Sequence, residues 1–551
     1  MGEGLYKASV ELSHLQRGIY TYLKNKAKSF EGQVSNEFSR YRKDHERHGK
    51  SEFKICTFNT LLGAIDKSNI IYLGDFHTFD QSSRNLQRLL RVLIKDNDSY
   101  ILGVEFVHKK HQRYIDSYLE GHITEIEFLE SIQYHESWRF PWSYYRHFFV
   151  LAKKMQMKIV ALNSDGGLKK RDMVAASILK ELYEENEDKK ILVLFGEYHI
   201  VPSKLPGIVK KSIHNKKFKQ TIIHQNLDEV YWRLVDKKGG TDRIVAFGPH
   251  EYVLQTSPPW IKYESMIYWY EHLSEDPDFD IHESVLEQEG AFTFNSNTVD
   301  NFAYITSQIN QNLKLGLSSY EIEDFNLYDH QNLDFIHDKL EHLKTKSLTN
   351  FYVKLIKCGR SFKIPDTKNY YCPSYSINRL AFLAGIHLYL QLLQKKKDGA
   401  NEYDYLIRTK THTKFIFFCY QSFMGYFSSK LINPYRKCDR YQDLLKQLRN
   451  SKTKVSDKKI LRLCLDVMKA KTPLESIFEK ASDLDAFMVA RKLGYLLGDI
   501  YFEEAYTKKS KGSKEVLKAI MNFDFEEKAF KNILKALLPR ETYRTTKKNL
   551  F

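Results

Sequence analysis

Two stretches of the chain end an apolar run in the same pattern of glycine, acid, aromatic and histidine. Gly74-Asp75-Phe76-His77 closes the run in IIYLGDFHTF, and Gly196-Glu197-Tyr198-His199 closes the run in ILVLFGEYHI, with the two glycines 122 residues apart. A third apolar run, LGVEF, carries Glu105. Two histidines and several carboxylates meeting at one place suit a divalent metal ion, or a general acid–base pair acting on water. A glycine at each strand end lets the backbone turn sharply and come close to a ligand. One strand-end histidine alone reads as a satisfied structural residue; the repeated pattern points to a single pocket.

The elements that must position these groups follow from the hydrophobic pattern. Strands are expected at 69–74, 100–105, 158–162 and 190–195. Helices are expected between them at 82–95, 109–119, 124–133, 143–156 and 171–186. Leu86, Leu89, Leu90 and Leu93 give the first of these helices one apolar stripe. Strands alternating with helices predict an α/β layer with a mainly parallel or mixed sheet flanked by helices. In such sheets ligands bind beyond the carboxyl ends of the strands, which is where Asp75, His77, Glu105, Glu197 and His199 stand. Residues 218–225 and 243–248 read as two further strands, and TSPPW (256–260) breaks the pattern. Residues 8–47 read as helical, running into the charged segment RYRKDHERHGK.

Beyond about 261 strands become scarce. Helices are expected around 299–313, 331–345, 375–395, 402–428, 440–449, 458–469, 483–506 and 513–536, after an acidic surface connection at 274–290 and before a Lys-rich tail. The expected domains are therefore an N-terminal helical segment (1–54), an α/β domain (55–260) and a mostly helical basic region (261–551) that divides into one or two subdomains. At 551 residues the chain exceeds what one core usually supports.

The net charge of +16 is uneven: residues 351–551 hold 40 Lys/Arg against 20 Asp/Glu, leaving 45 against 49 in the first 350. A basic C-terminal part suits nucleic acid or an anionic surface. With no arginine-rich run or nucleic-acid motif, a lysine-rich solvated surface is the favoured reading. The six cysteines form no CxxC pair, as expected of thiols in a reducing compartment. The N-terminus lacks the basic-then-apolar order of a secretory or lipoprotein signal. The longest apolar stretch, Leu380–Leu393, is too short to span a bilayer. These features predict a cytoplasmic protein without a transmembrane segment. No GxxxxGK[ST], GxGxxG, HExxH or GxSxG motif is present.

Weaker candidates remain. His108 and His111 stand a turn apart in VHKKH; Trp138, Trp142, Tyr144, Tyr145 and His147 read either as helix core or as the lining of a pocket for a flat ligand. Arg171–Asp172 reads either as a helix-start ion pair or as an arginine facing an anion at the strand-end rim.

The ordered set GDFH, GVEF with HQRYIDSYLEG, SWRFPWSYYRHFFVLAKKMQMKIVALN and GEYHIVPSKLP resembles a ChaN-like domain over about residues 65–260. Such domains belong to the haem-binding-uptake/Tiki superfamily, marked by two GxxH motifs with a Glu on a strand between them. Gly74/His77, Glu105 and Gly196/His199 fill those places. Gln112, Gly121, Trp138, Tyr145, Asn163 and Leu205–Pro206 also fall where ChaN-like sequences carry such residues, and Arg171–Asp172 is similar to an Arg-Asp of the Tiki and TraB relatives.

The resemblance implies one of two activities. In the first the domain binds haem or an iron-type metal at a pocket of His77, Glu105 and His199, with Tyr145 or Tyr198 as the axial ligand, and the protein forms a homodimer. In the second it is a metal-dependent hydrolase of the Tiki or erythromycin-esterase type. There His77 and His199 hold the ion, Glu105 or Glu197 acts as base on bound water, and Arg171 steadies developing negative charge. Three departures stand beside it: no leader, no second histidine soon after His77, and a long basic helical region outside the pattern. A third reading, a non-catalytic interaction protein with a degenerate pocket, follows if the helical region binds a partner and the α/β domain is a scaffold.

Overall fold

The computed structural model describes residues 3–31, 34–93, 100–236, 244–272, 296–397, 399, 402–507 and 513–538. The acidic stretch 274–290 and the Lys-rich tail lie outside them. The chain divides into two compact units: Tyr22–Ile281, and Met1–Thr21 together with His282–Lys547.

The first unit is built on an eight-stranded mixed sheet. Its strands are β1 (Lys54–Ile55), β2 (Ile70–Asp75), β3 (Tyr100–His108), β4 (Lys158–Asn163), β5 (Lys190–Gly196), β6 (Gln220–Gln225), β7 (Ile244–Gly248) and β8 (Glu251–Leu254), in the order β1-β7-β8-β6-β2-β5-β3-β4. The six strands from β8 to β4 run parallel; β7 is antiparallel to β8, and β1 to β7. β2 and β5 are buried almost along their whole length, which is why they read as continuous apolar runs rather than alternating ones.

The end of α1 (Glu3–Phe30), from Tyr22 onward, belongs to this unit, and helices cover both faces of the sheet. The helices that follow α1 are α2 (Asn36–His48), α3 (Phe58–Asp66), α4 (Asp80–Leu93), α5 (Gln112–Glu120), α6 (Glu125–Ser131), α7 (Tyr134–Ser137), α8 (Arg146–Met155), α9 (Leu168–Glu185), α10 (Leu205–Ser212), α11 (Asp228–Asp236) and α12 (Pro259–His272). On one face Ile71, Leu73, Leu102, Val104, Leu192 and Leu194 meet Leu86, Leu89 and Leu90 of α4 and Phe148 and Phe149 of α8. On the other, Ile70, Tyr72, Ile101, Ile191 and Val193 meet Ala175, Ala176 and Leu179 of α9 and Val209 of α10. Alternation along β2 and β5 thus feeds two cores from the same strands. The expected α/β layer is present, with differences. β1, β8 and the helices α3, α7, α10, α11 and α12 were not expected, the helix expected over 8–47 is two, α1 and α2, and β3 runs past 105 to His108 through a register shift after Val104. Local signals set several helix starts: Ser35 caps α2, and Thr124 with Glu127 forms a capping box on α6. Gln112 clips the edge strand β4, donating to the Ile159 carbonyl at 2.9 Å and accepting from the Ala161 N–H at 2.8 Å.

The second unit is mostly helical, as its pattern predicts. Its longest helices, Ile377–Lys396, Thr411–Ile432 and Asp483–Phe502, are buried along most of their length. A side chain at Gly385 would collide with Met424 and Ser428, so glycine permits that close helix crossing. The few strands of this unit form one small sheet of Asn326–Tyr328, Phe362–Lys363 and Asn369–Tyr371. The helix expected at 331–345 is shorter (Leu333–Glu341), and Lys346–Lys357 forms another. Among the described residues no helix is long and apolar enough to cross a membrane.

Candidate functional site

The sheet order explains how signatures 122 residues apart meet. β5 lies between β2 and β3, so the second glycine-acid-x-histidine arrives beside the first and beside Glu105. Asp75 pairs in register with Gly196, and the Glu197 N–H donates to the Asp75 carbonyl at 2.9 Å. All three groups therefore leave the carboxyl ends of adjacent parallel strands.

Two aspartates set the imidazoles. Asp75 Oδ2 lies 2.9 Å from His77 Nδ1 and accepts from the Tyr145 hydroxyl at 2.9 Å. Asp172 Oδ1 lies 2.5 Å from His199 Nδ1, while Asp172 Oδ2 accepts from the Tyr41 hydroxyl at 2.7 Å. Each histidine thereby turns its Nε2 to a different oxygen of Glu105: His77 to Oε2 and His199 to Oε1, both at 3.9 Å. A carboxylate on Nδ1 fixes the ring and its tautomer, an arrangement shared by metal-ligating and proton-transferring histidines.

Glu105 sits at the centre. Its Oε2 accepts from the Gly196 N–H at 2.5 Å and its Oε1 is paired with Arg171, whose Nε donates to Asn163 Oδ1 at 3.1 Å. Burial alone would raise the Glu105 pKa, but Arg171, His199, His77 and the Gly196 N–H together hold it below the usual glutamate range. His77 goes the other way. Burial disfavours its charged form, yet the hydrogen bond and charge of Asp75, with Glu105 nearby, leave its pKa raised. Gly196 makes the convergence feasible: a β-carbon there would lie 3.2 Å from Glu105 Oε2, 3.3 Å from His77 Nε2 and 3.4 Å from His199 Cδ2.

The expected residues fall into distinct places. Within the ring of Asp75, His77, Glu105, Asp172 and His199, His77 has the most exposed side chain, at 25% against 6% for His199 and 3% for Glu105. Its ring stands edge-on to Trp138 (4.7 Å between centroids) and tilted to Phe140 (5.1 Å), with Trp269 stacked on Phe140 at 4.9 Å. Tyr145 is fully buried, its hydroxyl committed to Asp75 and its pKa pushed well up by burial. Tyr198 turns away, packing edge-on against Phe38 and His45 of α2, and burial raises its pKa too. Arg171 and Asp172 do not pair with each other; consecutive on α9, they serve Glu105 and His199 respectively. Among the described residues, His77, Glu105 and His199 do not bring three donor atoms within 4.8 Å of one another.

Glu197 is buried too. Burial pushes its pKa up to about 7, against the pull of Lys262 and with Asp228 adding to the rise. Lys262 of α12 is itself buried and pairs with Asp228 at 2.9 Å; Asp228 also accepts from the Tyr263 hydroxyl at 2.6 Å. His108 and His111 lie apart, at the end of β3 and in the 3-10 turn after it, where the His108 Nδ1 caps the Lys110 N–H at 3.1 Å. Trp142, with Phe106, Phe128 and Phe149, belongs to the core.

Tyr41 holds the site but was not singled out, and Asp172 was singled out only as half of the Arg171–Asp172 pair, not as the partner of His199. Tyr41 lies in the charged run after the first helix, and its signal is the 41, 45, 48 spacing, which puts three ring-bearing side chains on one face of α2.

The strand-end rim, from Asp75 to Arg171, falls within one recognisable segment. Residues 61–171 match the haem-binding uptake, Tiki superfamily, ChaN family. The ChaN-like segment thus contains Asp75, His77, Glu105, Tyr145 and Arg171, while Asp172 and the second GxxH follow it. Two solved structures are similar in part. One is described as cofacial haem binding to ChaN of Campylobacter jejuni; it is 16% identical, covers 31% of this chain and 87% of that one, and has a TM-score of 0.24. The other, the type III effector HopBA1, is 14% identical, covers 37% of this chain and 97% of that one, and has a TM-score of 0.26. No curated protein matches the chain.

Proposed function

We propose that the ChaN-like unit binds haem, or a similar flat iron-bearing ligand, at the rim of the strand-end site, with His77 as the nitrogen donor. The observation that carries this reading is the setting of His77. It is partly exposed, fixed through Nδ1 by Asp75, and walled by Trp138 and Phe140. A neutral imidazole held by a carboxylate is a good iron ligand, and aromatic walls suit the face of a macrocycle. The family match over 61–171 supports the same class of ligand. The fit is through histidine rather than tyrosine. The hydroxyl of Tyr145 is buried on Asp75, and the ring of Tyr198 packs against Phe38 and His45 of α2. When bound, haem would supply its own iron chemistry; the chain's part is to orient His77, keep Glu105 ionised beside it, and place the Arg171 guanidinium at the same rim. The test is titration of haemin into the purified chain. A Soret band that saturates supports the reading, and a flat difference spectrum sinks it.

A second reading has its own observation. His199, fixed by Asp172 and 3.9 Å from Glu105, together with Glu197 poised near neutrality, is an arrangement able to activate water for hydrolysis. Arg171, paired with Glu105, stands where it would steady negative charge. A panel of ester, amide and phosphoester substrates, compared between wild type and His199→Ala, tests it; equal rates in both would dismiss it.

A further inference from the structure

A second cluster of donors lies away from the rim, beneath the C-terminal end of α2. His48 ends that helix, His224 stands near the end of β6 and Glu251 opens β8. Their donor atoms all lie within 4.8 Å of one another, and among the described residues this is the group of three His, Cys, Asp or Glu side chains that meets that test. Both imidazoles converge on one oxygen: Glu251 Oε1 is 2.9 Å from His224 Nε2 and also contacts His48 Nε2. His224 is fully buried, and its Nδ1 has no hydrogen-bond partner among the described residues. A third imidazole, His45, stands one turn back on α2 with its ring centroid 6.5 Å from that of His224; it is buried too, and its Nε2 is likewise without a partner.

We propose that His48, His224 and Glu251 form a binding site for a first-row divalent transition metal of the zinc or iron(II) class, with His45 beside it. Two imidazoles and one carboxylate are the donor set those ions favour, whereas calcium and magnesium favour all-oxygen sites. The Nε2 atoms of His48 and His224 share the one Glu251 oxygen, while among the described residues His224 Nδ1 and His45 Nε2 are left without partners, which buried ring nitrogens normally find. An ion drawing on both imidazoles and the carboxylate would tie the end of α2 to β6 and β8. The same face of α2 carries Tyr41, whose hydroxyl holds Asp172 and through it His199. The site therefore fastens the helix that supports the strand-end centre, and His48, His224 and Glu251 act as positioning residues for it.

The proposal does not depend on haem binding or hydrolysis, and its readout is metal content. The full chain is stripped with a chelator, incubated with Zn(II) or Fe(II), desalted and analysed for metal. The same treatment is applied to His48→Gln, Glu251→Gln and His77→Ala, with far-UV circular dichroism to check folding. The expected result is about one ion per chain in wild type and in His77→Ala. Losing a direct ligand should weaken binding beyond the roughly 10–100-fold that changes behind a ligand produce, so the His48→Gln and Glu251→Gln proteins should emerge nearly metal-free. Co(II) should give visible ligand-field bands in wild type that vanish in the same two variants. If Glu251→Gln does not fold, the part-exposed His48 still provides the test. The proposal is overturned if wild type keeps no metal, if His48→Gln keeps as much as wild type, or if His77→Ala alone loses it.

Discussion

Replacing Glu197 with glutamine should make the α/β unit more stable at pH 8 but not at pH 4. In the folded protein burial raises the Glu197 pKa from 4.5 to about 7. A difference of about 2.5 pH units at roughly 1.36 kcal/mol per unit is about 3 kcal/mol. The sign follows from proton counting. Between pH 4.5 and 7 the folded state holds a proton at Glu197 that the unfolded state has released, so stability falls as pH rises through that window. Below it both states are protonated and nothing is lost; above it the full cost of burying the carboxylate is felt. Glutamine is isosteric and uncharged, so Glu197→Gln should gain about 3 kcal/mol on wild type between pH 4 and pH 8. All five tryptophans, Trp138, Trp142, Trp232, Trp260 and Trp269, belong to the α/β unit. Urea unfolding followed by tryptophan fluorescence therefore reads this unit apart from the helical one. Titrations elsewhere cancel in the difference between the two proteins. Parallel stability–pH curves for wild type and Glu197→Gln would show that burial does not raise the Glu197 pKa, and so would a variant that loses stability relative to wild type as pH rises.

Tyr41→Phe removes a buried hydroxyl that donates to the Asp172 carboxylate; unfolding by urea should show a loss of about 2 kcal/mol, and the His199 ring signals should shift in NMR spectra. Gly196→Ala should fold, but its methyl would press on Glu105, His77 and His199 at 3.2–3.4 Å, so ligand affinity should fall roughly tenfold in a binding titration. Because the His77 pKa is raised and a metal-binding nitrogen must be free of its proton, the Soret amplitude should grow with pH around a midpoint above 6.5, the ordinary histidine value; a midpoint well below it would contradict the Asp75–His77 geometry.

The strands that carry the site were legible because both β2 and β5 are sealed on two faces, which writes unbroken runs of aliphatic and aromatic residues before Gly74 and Gly196. The residues that brace them were harder to read. Tyr41, His45 and His48 sit in a run dominated by Arg, Lys, Asp and Glu, so no apolar stripe announces that α2 buries a face. Arg171 and Asp172 were visible as a pair, but neighbours on a helix point about 100° apart, and only the fold shows them serving different partners. β8 is four residues long and begins with a glutamate, too little for a strand signal. The ring contacts that set Trp138 beside His77 and Trp142 against Phe106 join residues far apart in sequence.

The claim that His77 is the rim ligand is tested most directly by chemical rescue. His77→Gly and wild type are titrated with haemin at pH 8, with and without free imidazole. Wild type should give a saturable Soret band, His77→Gly should lose it, and the band should return when imidazole fills the place of the missing ring. A band of equal strength in His77→Gly without imidazole, or no band in wild type, would contradict it.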